Sequence, residues 1–415
     1  MSIQLNILTN YDIKKLLEVM RRDVMADVIL RNTNIKRILN GHPWIYKTEI
    51  DRIEGDYTPG GIVNVLNHKK EFIGKGYINL KSMITVRLLT RDINEEIDEE
   101  FFRRRIKRAW EYRKKVMDNL NSCRVVFAEA DFLPALIVDK FGDYLVLQTL
   151  ALGIDKYKNT IVKLLVEILN PKGIYERNDV NVRELEGLPQ QKGYLYGKFD
   201  TMQQFEENGI KFWVDIENGQ KTGYFLDQKE NRRAIQNYVK EAEVLDCFSH
   251  TGSFTVHALH YGAKRVETVD ISEEAIEMAK KNVELNGYQE RCDFVCDNAF
   301  DLLRRYDKES RKFDTIILDP PAFTKSKETV KDALRGYKEI NLRALKILRE
   351  GGFLITCSCS QHIKPDMFLD VIKEAANDAK RNVRLVEQRT QSKDHPILLA
   401  SEETQYLKCL ILQVL

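Results

Sequence analysis

The sequence predicts an α/β protein whose C-terminal half forms an open, doubly wound parallel sheet. From residue 243 onward, apolar runs of strand length alternate with helical patterns, which is typical of βαβ units. Three of these runs end in an acid: Asp246, Asp270 and Asp319. The last two runs have no helix between them, so we expect the sheet to end in an antiparallel strand.

Composition describes an ordinary globular protein. The chain has 415 residues, 43% hydrophobic and 31% charged, and this length favours two or three domains. A formal net charge of +2 does not by itself indicate a nucleic-acid binder. The seven cysteines lack metal-ligand spacing, so we expect no metal site, and scattered thiols are typical of the cytoplasm. The sequence has no signal-peptide pattern and no apolar run of about 20 residues, so no membrane association is expected.

Changes in pattern divide the chain into four parts. Residues 1–26 are predicted to form a helical extension, because apolar residues recur at helical spacing across 11–30. Residues 27–92 contain short β-prone runs between glycine and asparagine turns, which predict a β-rich module. Residues 93–195 mix helical and strand patterns and are predicted to form an α+β middle domain. Residues 196–415 form the α/β domain.

The β-rich module has two interpretations that the residues leave open. Its β-prone runs include Ile35–Leu39, and the module is either a structural barrel or a barrel that contacts RNA. In the second case, the contacting face would carry basic and aromatic side chains: Lys36, Arg37, Trp44 and Lys75.

The middle domain is predicted to begin with a long helix within residues 92–120. A Gly142–Asp143 turn predicts a hairpin, a helix at Lys156–Leu169 and a strand at Gly173–Arg177 follow, and residues 188–193 are predicted to be a linker. The long helix carries the densest basic cluster of the chain, which is either a solvated face or a set of phosphate contacts. This cluster comprises Arg103, Arg104, Arg105, Lys107, Arg108, Arg113, Lys114 and Lys115.

The C-terminal half is predicted to alternate strands and helices after a first helix at Gln228–Val239. Strands are expected at Glu243–Asp246, Arg265–Asp270, Cys292–Cys296, Phe313–Asp319, Gly352–Ser358, Val383–Gln388 and Tyr406–Leu412. Helices are expected at Thr251–Tyr261, Glu273–Asn286, Ala299–Arg305, Glu328–Leu348 and Met367–Ala379.

The turns after the first two strands predict a nucleoside-binding site. In such sheets the ligand lies at the carboxyl ends of the strands, and an acid there, here Asp270, accepts hydrogen bonds from a ribose. The glycine-rich phosphate loop of dinucleotide-binding proteins is missing, since Gly252 stands nearly alone. An adenosine ligand without a pyrophosphate therefore fits better, and S-adenosylmethionine is the candidate cofactor.

A polar loop at residues 218–232 is predicted either to fold over this cofactor or to be a plain surface loop. The loop Asp246–Gly252 is expected to contact the cofactor, and Asp297 is expected near the adenine. The candidate cofactor-binding residues are Lys221, Thr222, Tyr224, Asp246, Phe248, Ser249, Thr251, Gly252, Asp270, Ile271, Asp297, Asn298, Asp319 and Pro320.

Asp319 and Cys359 are the candidate catalytic residues. Asp319 precedes two prolines at the end of a strand, which predicts a rigid loop at the crevice, although a structural turn is the simpler alternative. Cys357 and Cys359 share one face of the next strand, and Cys359 is nearer the carboxyl end. Its alternative role is packing. A thiolate that adds to C6 of a pyrimidine makes C5 nucleophilic towards a methyl donor, and Asp319 is placed to contact N3 or the exocyclic amine of a flipped base.

Taken together, these motifs resemble the bacterial large-subunit ribosomal RNA cytosine-C5 methyltransferase I family. The match runs nearly end to end from about Lys36, and such a series is highly specific. It comprises HPWIY (42–46), AEADFLPALIVDKFGDYLVLQ (128–148), YERNDVNVRELEG (175–187), GQKTGYFLDQKENR (219–232), DCFSHTGSF (246–254), VDISEEA (269–275), LDPPAF (318–323), RGYKEIN (335–341) and SCS (358–360).

The resemblance implies a PUA domain followed by a class I, Rossmann-like methyltransferase domain. It further implies S-adenosylmethionine as donor and a cytosine of unassembled or partly assembled 23S rRNA as acceptor. The cysteine of the SCS motif falls on Cys359. Two alternatives stay open: methylation of another base, such as uracil at C5 or guanine at N7, or an RNA-binding protein with a degenerate methyltransferase fold. The sequence also leaves open whether the protein forms a homodimer.

Overall fold

The computed structural model describes residues 25–33 and 35–415. Residues 1–24 of the predicted N-terminal helical extension therefore lie outside the described residues. The helical spacing of residues 11–30 overlaps the predicted β-rich module, and from Asp27 the β prediction is correct: Asp27–Leu30 is a strand with neighbours on both sides and with Val28, Ile29 and Leu30 buried. An apolar run of this length fits a buried strand as well as a helix.

The β-rich module is a six-stranded sheet with the order β2-β6-β5-β4-β1-β3. The run Ile35–Leu39 was predicted to be β-prone, but it contains one helical turn, since the Leu39 and Asn40 amides donate to the Ile35 and Lys36 carbonyls. The elements are β1 (Asp27–Leu30), α1 (Lys36–Leu39), β2 (Trp44–Tyr46), β3 (Ile50–Glu54), β4 (Ile62–Leu66), β5 (Phe72–Ile78) and β6 (Ile84–Thr90).

Three of the four side chains expected on an RNA-contacting face are engaged inside the protein. Lys75 is buried and donates to the Ile93 and Glu95 carbonyl oxygens. Trp44 donates its indole hydrogen to a Glu129 carboxylate oxygen at 2.9 Å. Arg37 forms an ion pair with Glu49, so that only Lys36 of the four is exposed.

The middle of the chain forms a five-stranded sheet with the order β11-β10-β9-β8-β7, and the hairpin at Gly142–Asp143 is confirmed. The linker prediction is wrong from residue 191, where β11 pairs antiparallel with β10 and alternates exposed and half-buried residues as an edge strand. The elements are α2 (Glu99–Val116), β7 (Ser122–Phe127), β8 (Leu136–Phe141), β9 (Tyr144–Thr149), α3 (Leu152–Lys156), α4 (Lys158–Leu169), β10 (Gly173–Asn178), α5 (Val182–Leu185) and β11 (Gln191–Tyr196).

The basic cluster on α2 is largely neutralised by carboxylates of the same region. Arg103 contacts Glu99, Glu100 and Glu167, and Arg104 and Arg105 both contact Glu95. The guanidinium of Arg113 is fully buried against Asp131. Most of the cluster therefore stabilises the fold rather than presenting free charge to phosphates.

The C-terminal half begins with an unpredicted hairpin and continues as the expected alternation. The predicted helix at Gln228–Val239 is split at Ile235. The elements are β12 (Met202–Glu207), β13 (Ile210–Asp215), α6 (Lys229–Ala234), α7 (Gln236–Val239), β14 (Glu243–Cys247), α8 (Ser253–His260), β15 (Arg265–Asp270), α9 (Glu273–Leu285), β16 (Cys292–Cys296), α10 (Ala299–Lys308), β17 (Phe313–Leu318), α11 (Val330–Ile347), β18 (Leu348–Ser358), α12 (Pro365–Ala379), β19 (Val383–Arg389) and β20 (Lys408–Val414).

The seven-stranded sheet has the order β16-β15-β14-β17-β18-β20-β19. The first five of these strands are parallel, and β20 is antiparallel to both of its neighbours, as predicted. Helices cover both faces, since Val244 packs with α8 and α9 residues while the next residue, Leu245, packs with α10, α11 and α12. The strand order reverses at β14, so the neighbouring carboxyl ends of β14 and β17 leave room for a ligand.

None of the helices within the described ranges is long and apolar enough to cross a membrane.

Candidate active site

A cleft of about 340 Å³ opens at the carboxyl ends of β14, β15, β17 and β18. Eight of the predicted cofactor-binding residues line it together with the predicted nucleophile. These are Lys221, Phe248, Ser249, Asp270, Ile271, Asn298, Asp319 and Pro320, with Cys359.

The turn after β14 has a tightly constrained backbone. Phe248 and His250 both adopt positive φ angles, of 62° and 49°. Gly252 has a φ of 74°, and a Cβ atom there would meet Ala279 Cβ at 2.9 Å. The turn therefore requires glycine at residue 252, both for the backbone conformation and for the close approach of α9.

Two backbone amides hold the Asp270 carboxylate at the edge of the cleft. The His250 amide donates to Oδ2 at 2.8 Å and the Ser272 amide donates to Oδ1 at 3.0 Å. Asn298 caps α10 by accepting from the Phe300 amide at 2.9 Å. Asp297 does not line the cleft, and it pairs with Arg305 at 3.0 Å.

Asp246 lies beneath the cleft rather than in its wall. Its side chain is fully buried, and Oδ2 accepts from the Thr255 hydroxyl at 2.7 Å. Burial, together with the negative charge of Asp319, raises the pKa of Asp246 to about 7. Three buried polar atoms near this turn have no hydrogen-bond partner within the described part of the chain: Asp246 Oδ1, Ser249 Oγ and Thr251 Oγ1.

Asp319 follows β17 and faces the cleft. Gln228 Nε2 donates to its Oδ1 at 2.8 Å. Burial and the neighbouring Asp227 carboxylate raise the pKa of Asp319 to about 7. This carboxyl group can therefore either donate or accept a proton near neutral pH.

The two neighbouring cysteines differ in position. Cys359 lines the cleft, and its Sγ lies 3.9 Å from the Pro320 carbonyl oxygen. Burial, with Asp319, raises the pKa of the Cys359 thiol to about 11, while the Lys221 charge acts in the opposite direction. Cys357 is completely buried within β18, opposite Cys409 of β20.

The loop at residues 218–232 covers part of the cleft, but only some of its predicted residues face it. Lys221 lines the cleft and lies 4.6 Å from the centre of the Phe225 ring. Thr222 is buried and donates to Asp139 Oδ2 at 2.7 Å. Tyr224 is buried beside Arg232, so neither Thr222 nor Tyr224 reaches the cleft.

Comparisons with known proteins identify the family. Residues 28–91 match the model of a PUA-like domain, and residues 191–411 match the model of an S-adenosylmethionine-dependent methyltransferase. The chain is 40% identical over 385 residues to the ribosomal RNA large subunit methyltransferase I of Klebsiella pneumoniae (strain 342), covering 92% of this chain and 96% of the relative. The protein of that name from Escherichia coli (strain SMS-3-5 / SECEC) is also 40% identical, over 92% of this chain and 97% of its own length. The chain belongs to the ribosomal RNA large subunit methyltransferase I family.

The fold of this methyltransferase is that of a class I enzyme. A solved structure assigned as a methyltransferase, SMU.776 complexed with SAH, superimposes with a TM-score of 0.81. It is 21% identical, and the match covers 94% of this chain and 100% of that one. Since the family is S-adenosylmethionine-dependent, S-adenosylmethionine is the cofactor of this methyltransferase.

The cleft of the methyltransferase fits a cofactor that carries positive charge. Three carboxylates converge at the ends of adjacent strands, Asp246, Asp270 and Asp319, and two of them have raised pKa values. Bringing a sulfonium and an ammonium group to this place would relieve the repulsion between them. The unpartnered Asp246 Oδ1 and Ser249 Oγ leave polar atoms available for a ligand.

The sequence did not single out several residues that line this cleft. Their types explain why: the aromatic and apolar members are indistinguishable from core residues in a sequence pattern, and the polar members sit in turns. The motif from residue 219 to 232 contained four of them. These additional lining residues include Phe225, Asp227, Gln228, Arg232, His250, Ser253, Phe300, Phe323 and Leu407.

Proposed function

We propose that this methyltransferase forms 5-methylcytosine in the RNA of the large ribosomal subunit, with Cys359 as the nucleophile. The observation that carries the proposal is that Cys359 and Asp319, on neighbouring strands, line the same cleft. Methylation of a ring nitrogen or an amine needs no nucleophilic thiol, whereas methylation of a pyrimidine at C5 does. The names of the curated relatives and the PUA-like domain support ribosomal RNA as the substrate.

The cofactor side of the cleft is assigned from the contacts of the acidic residues. Asp270 accepts the hydrogen bonds of the ribose, because its carboxylate is already oriented by two backbone amides. Phe248, Ile271 and Phe300 supply apolar surface for the adenine. When bound, S-adenosylmethionine supplies a methyl group that is electrophilic because it is attached to a sulfonium.

The residues of the protein then catalyse an addition to the base, which is followed by an elimination. The Cys359 thiol, whose pKa is raised to about 11, gives its proton to water as its sulfur forms a bond to C6 of the cytosine, and the electron pair of the C5–C6 double bond moves to C5. C5 would then take the methyl group that bound S-adenosylmethionine supplies, and the cofactor would keep the electron pair of the former sulfur–methyl bond. A base removes the C5 proton, the double bond forms again, and the Cys359 thiolate leaves.

Asp319 assists the addition from the opposite side of the base. Because its pKa is raised to about 7, a large fraction of the carboxyl is protonated at neutral pH. A protonated carboxyl next to N3 donates a hydrogen bond that stabilises the negative charge on the ring after the thiolate has added. Gln228, which donates to Oδ1, keeps the other oxygen of Asp319 free for this contact.

The domain boundaries remain part of the proposal. We place them after residues 26, 92 and 195, which keeps each of the two upstream sheets nearly intact and puts the β12–β13 hairpin with the methyltransferase sheet. The substrate RNA would contact the PUA-like and middle domains as well as the cleft.

The first experiment measures transfer of labelled methyl from S-adenosylmethionine to unmodified 23S rRNA, followed by nucleoside analysis. Wild type is compared with Cys359→Ala and with Cys357→Ala as the matched control on the same strand. We expect label in 5-methylcytidine and retained activity for Cys357→Ala. For Cys359→Ala we expect the rate of methyl transfer to fall on the order of 1,000-fold or more, as for other lost nucleophiles.

A second experiment tests the covalent step directly. RNA that contains 5-fluorocytidine has no C5 proton to lose, so elimination is blocked and the enzyme stays attached through Cys359. A stable adduct is expected with wild type and with Cys357→Ala. Label in another nucleoside, or activity that survives Cys359→Ala, would refute the cytosine and nucleophile assignments.

A further inference from the structure

A second cavity, of about 190 Å³, lies beside the cofactor cleft between the middle sheet and the methyltransferase sheet. Lys221, Phe225 and Asp227 line both spaces, so the cavity and the cleft share a wall. Its volume is below the roughly 300–1,000 Å³ of sites that hold a drug-sized molecule. It is therefore a space for a single small group rather than for a second cofactor.

The lining combines apolar side chains with a few unused polar atoms. Ile137, Leu150 and Val182 supply apolar surface from the middle domain. Arg124 Nη1, Gln148 Oε1 and His395 Nε2 have no hydrogen bond to another described residue. A flat ring with donors and acceptors on its edge matches this combination.

The charges around the cavity favour a neutral ring over a phosphate. Arg124 is paired through two hydrogen bonds, both of 2.8 Å, with the buried Asp139. His395 lies 2.8 Å from Asp394.

Lys221 is the third basic side chain of the lining, and it has no carboxylate within ion-pair distance in the described part of the chain. Burial acts to raise the pKa of Asp227, but the charge of Lys221 acts to lower it. Two of the three basic side chains thus already have a carboxylate partner, so the cavity offers a phosphate little free positive charge.

We infer that this cavity binds the base of a nucleotide adjacent to the methylated one in the substrate RNA. The inference takes the RNA substrate from the proposed function and adds a site that recognises a flanking base. When the target nucleotide turns into the cleft, its neighbour on the same strand has to leave the stack or remain near the shared wall of Lys221, Phe225 and Asp227. The cavity gives that neighbour a place whose apolar surface and free polar atoms can discriminate among bases.

The test fills the cavity by placing a larger side chain at its rim. Val182 lines it and is 41% exposed at the start of α5, so Val182→Trp can be introduced without disturbing the core. Leu185, on the same short helix, is 72% exposed and does not line the cavity, which makes Leu185→Trp the matched control. Leu150→Phe, which fills the space from the residue that follows β9, is a second variant.

The readouts are the dissociation constant for an unmodified 23S rRNA transcript in the presence of SAH, the KM for that RNA, and the dissociation constant for S-adenosylmethionine alone. We expect Val182→Trp and Leu150→Phe to weaken RNA binding and raise KM about tenfold, the size of one lost base contact. We expect unchanged affinity for S-adenosylmethionine, and wild-type behaviour for Leu185→Trp.

Replacing single flanking nucleotides by abasic residues identifies the bound base. One flanking position should weaken binding to wild type and have no further effect on Val182→Trp. Wild-type affinity of both cavity-filling variants, or equal loss with Leu185→Trp, would overturn the inference, as would a wild-type protein that does not bind the RNA. Methylation of a base other than cytosine would refute the proposed reaction. The binding test would still decide whether the cavity holds a flanking base.

Discussion

At the scale of single residues, the cleft concentrates carboxyl groups that are costly to ionise. Asp246 and Asp319 end or follow adjacent parallel strands, and burial raises the pKa of each to about 7. Asp246 also raises the pKa of the adjacent Cys247 thiol, after burial, which is the larger cause. These buried carboxyl groups lower the stability of the cofactor-free folded protein, and a bound cationic ligand would offset this cost. Such a loss of stability is common in active sites.

The pH dependence of stability should reveal Asp246. A carboxyl whose pKa is about 7 in the folded protein and near 4 in the unfolded one binds more protons when folded between these values, so stability falls as pH rises from about 4 to about 7. Asp246→Asn removes this loss, and we expect it to be more stable than wild type at pH 8 by up to about 4 kcal/mol, and to bind S-adenosylmethionine more weakly.

Urea unfolding of the cofactor-free protein at pH 5 and pH 8 measures this effect. The control is Asp370→Asn, because Asp370 lies on α12 with its side chain 66% exposed. Identical pH dependence in wild type and Asp246→Asn would show that Asp246 is ionised in the folded protein like an ordinary aspartate.

At the scale of elements, the packing of the turn between β14 and α8 can be tested by comparing two glycines that have the same φ angle. Gly252 and Gly287 both have a φ of 74°, but a Cβ atom meets Ala279 at 2.9 Å in the first case and nothing within 4 Å in the second. Both changes to alanine should lose about 1 kcal/mol for the left-handed backbone. Gly252→Ala should lose a further ~1–3 kcal/mol for overpacking against α9.

Only the first substitution should also affect the cofactor. Gly252→Ala displaces the turn that carries Phe248 and Ser249, so its affinity for S-adenosylmethionine should fall at least tenfold while that of Gly287→Ala stays at the wild-type value. Thermal unfolding and a cofactor titration give both quantities. Equal affinities in the two variants would mean that α9 moves aside and the turn keeps its shape.

Elements with strong local signals could be predicted, and those decided by distant partners could not. Arg265–Asp270 and Cys292–Cys296 were predicted at their observed bounds, because an apolar run between turns specifies a strand of a parallel sheet. The helical spacing of residues 11–30 extended into Asp27–Leu30, because the partners that make this segment a strand, β3 and β4, lie farther along the chain. The β12–β13 hairpin was missed although its Asn208–Gly209 turn, with both φ angles positive, is a strong local signal.

The same distinction explains the candidate site. Asp270, Asp319 and Cys359 could be identified because each follows a predicted strand, and strand ends meet at one edge of the sheet. Thr222 and Tyr224 belong to the loop that covers the cleft, but which side of a loop faces a ligand depends on tertiary contacts that no spacing encodes.

At the scale of the whole molecule, a buried network joins the middle sheet to the loop between β19 and β20. The Asp394 carboxylate accepts from the Arg124 backbone amide at 2.8 Å and faces His395 at 2.8 Å. The carbonyl oxygen of Asp394 accepts from the buried Arg113 guanidinium at 2.7 Å. The network also forms one side of the second cavity, through Arg124 and His395.

The PUA-like sheet is attached to the same part of the molecule. His42 is buried and lies 3.0 Å from Glu403, which belongs to the segment that contains Asp394. The pKa of Glu403 is lowered to about 2, with His42 as the largest cause. A single connection between β19 and β20 therefore contacts both upstream sheets, which fixes their position relative to the cleft.

Asp394 should hold these parts together only while it is ionised. Burial opposes ionisation, but His395 and the Arg124 amide outweigh it and keep the pKa of Asp394 well below its usual range. Its stabilisation is therefore present above the unfolded value near 4 and is lost as pH falls below it. Asp394→Ala leaves His395 and the Arg124 amide buried without this partner, and we expect a loss of about 3–5 kcal/mol at pH 7.

The loss should appear as a change in the number of unfolding transitions. Wild type should unfold its middle and methyltransferase sheets in one calorimetric transition at pH 7, because charges buried between them tie the two together. Asp394→Ala should separate the transitions and raise the KM for RNA while leaving the affinity for S-adenosylmethionine within twofold of wild type, since Asp394 does not line the cleft. A variant that keeps a single transition and the wild-type KM would show that apolar contacts alone orient the upstream sheets relative to the cleft.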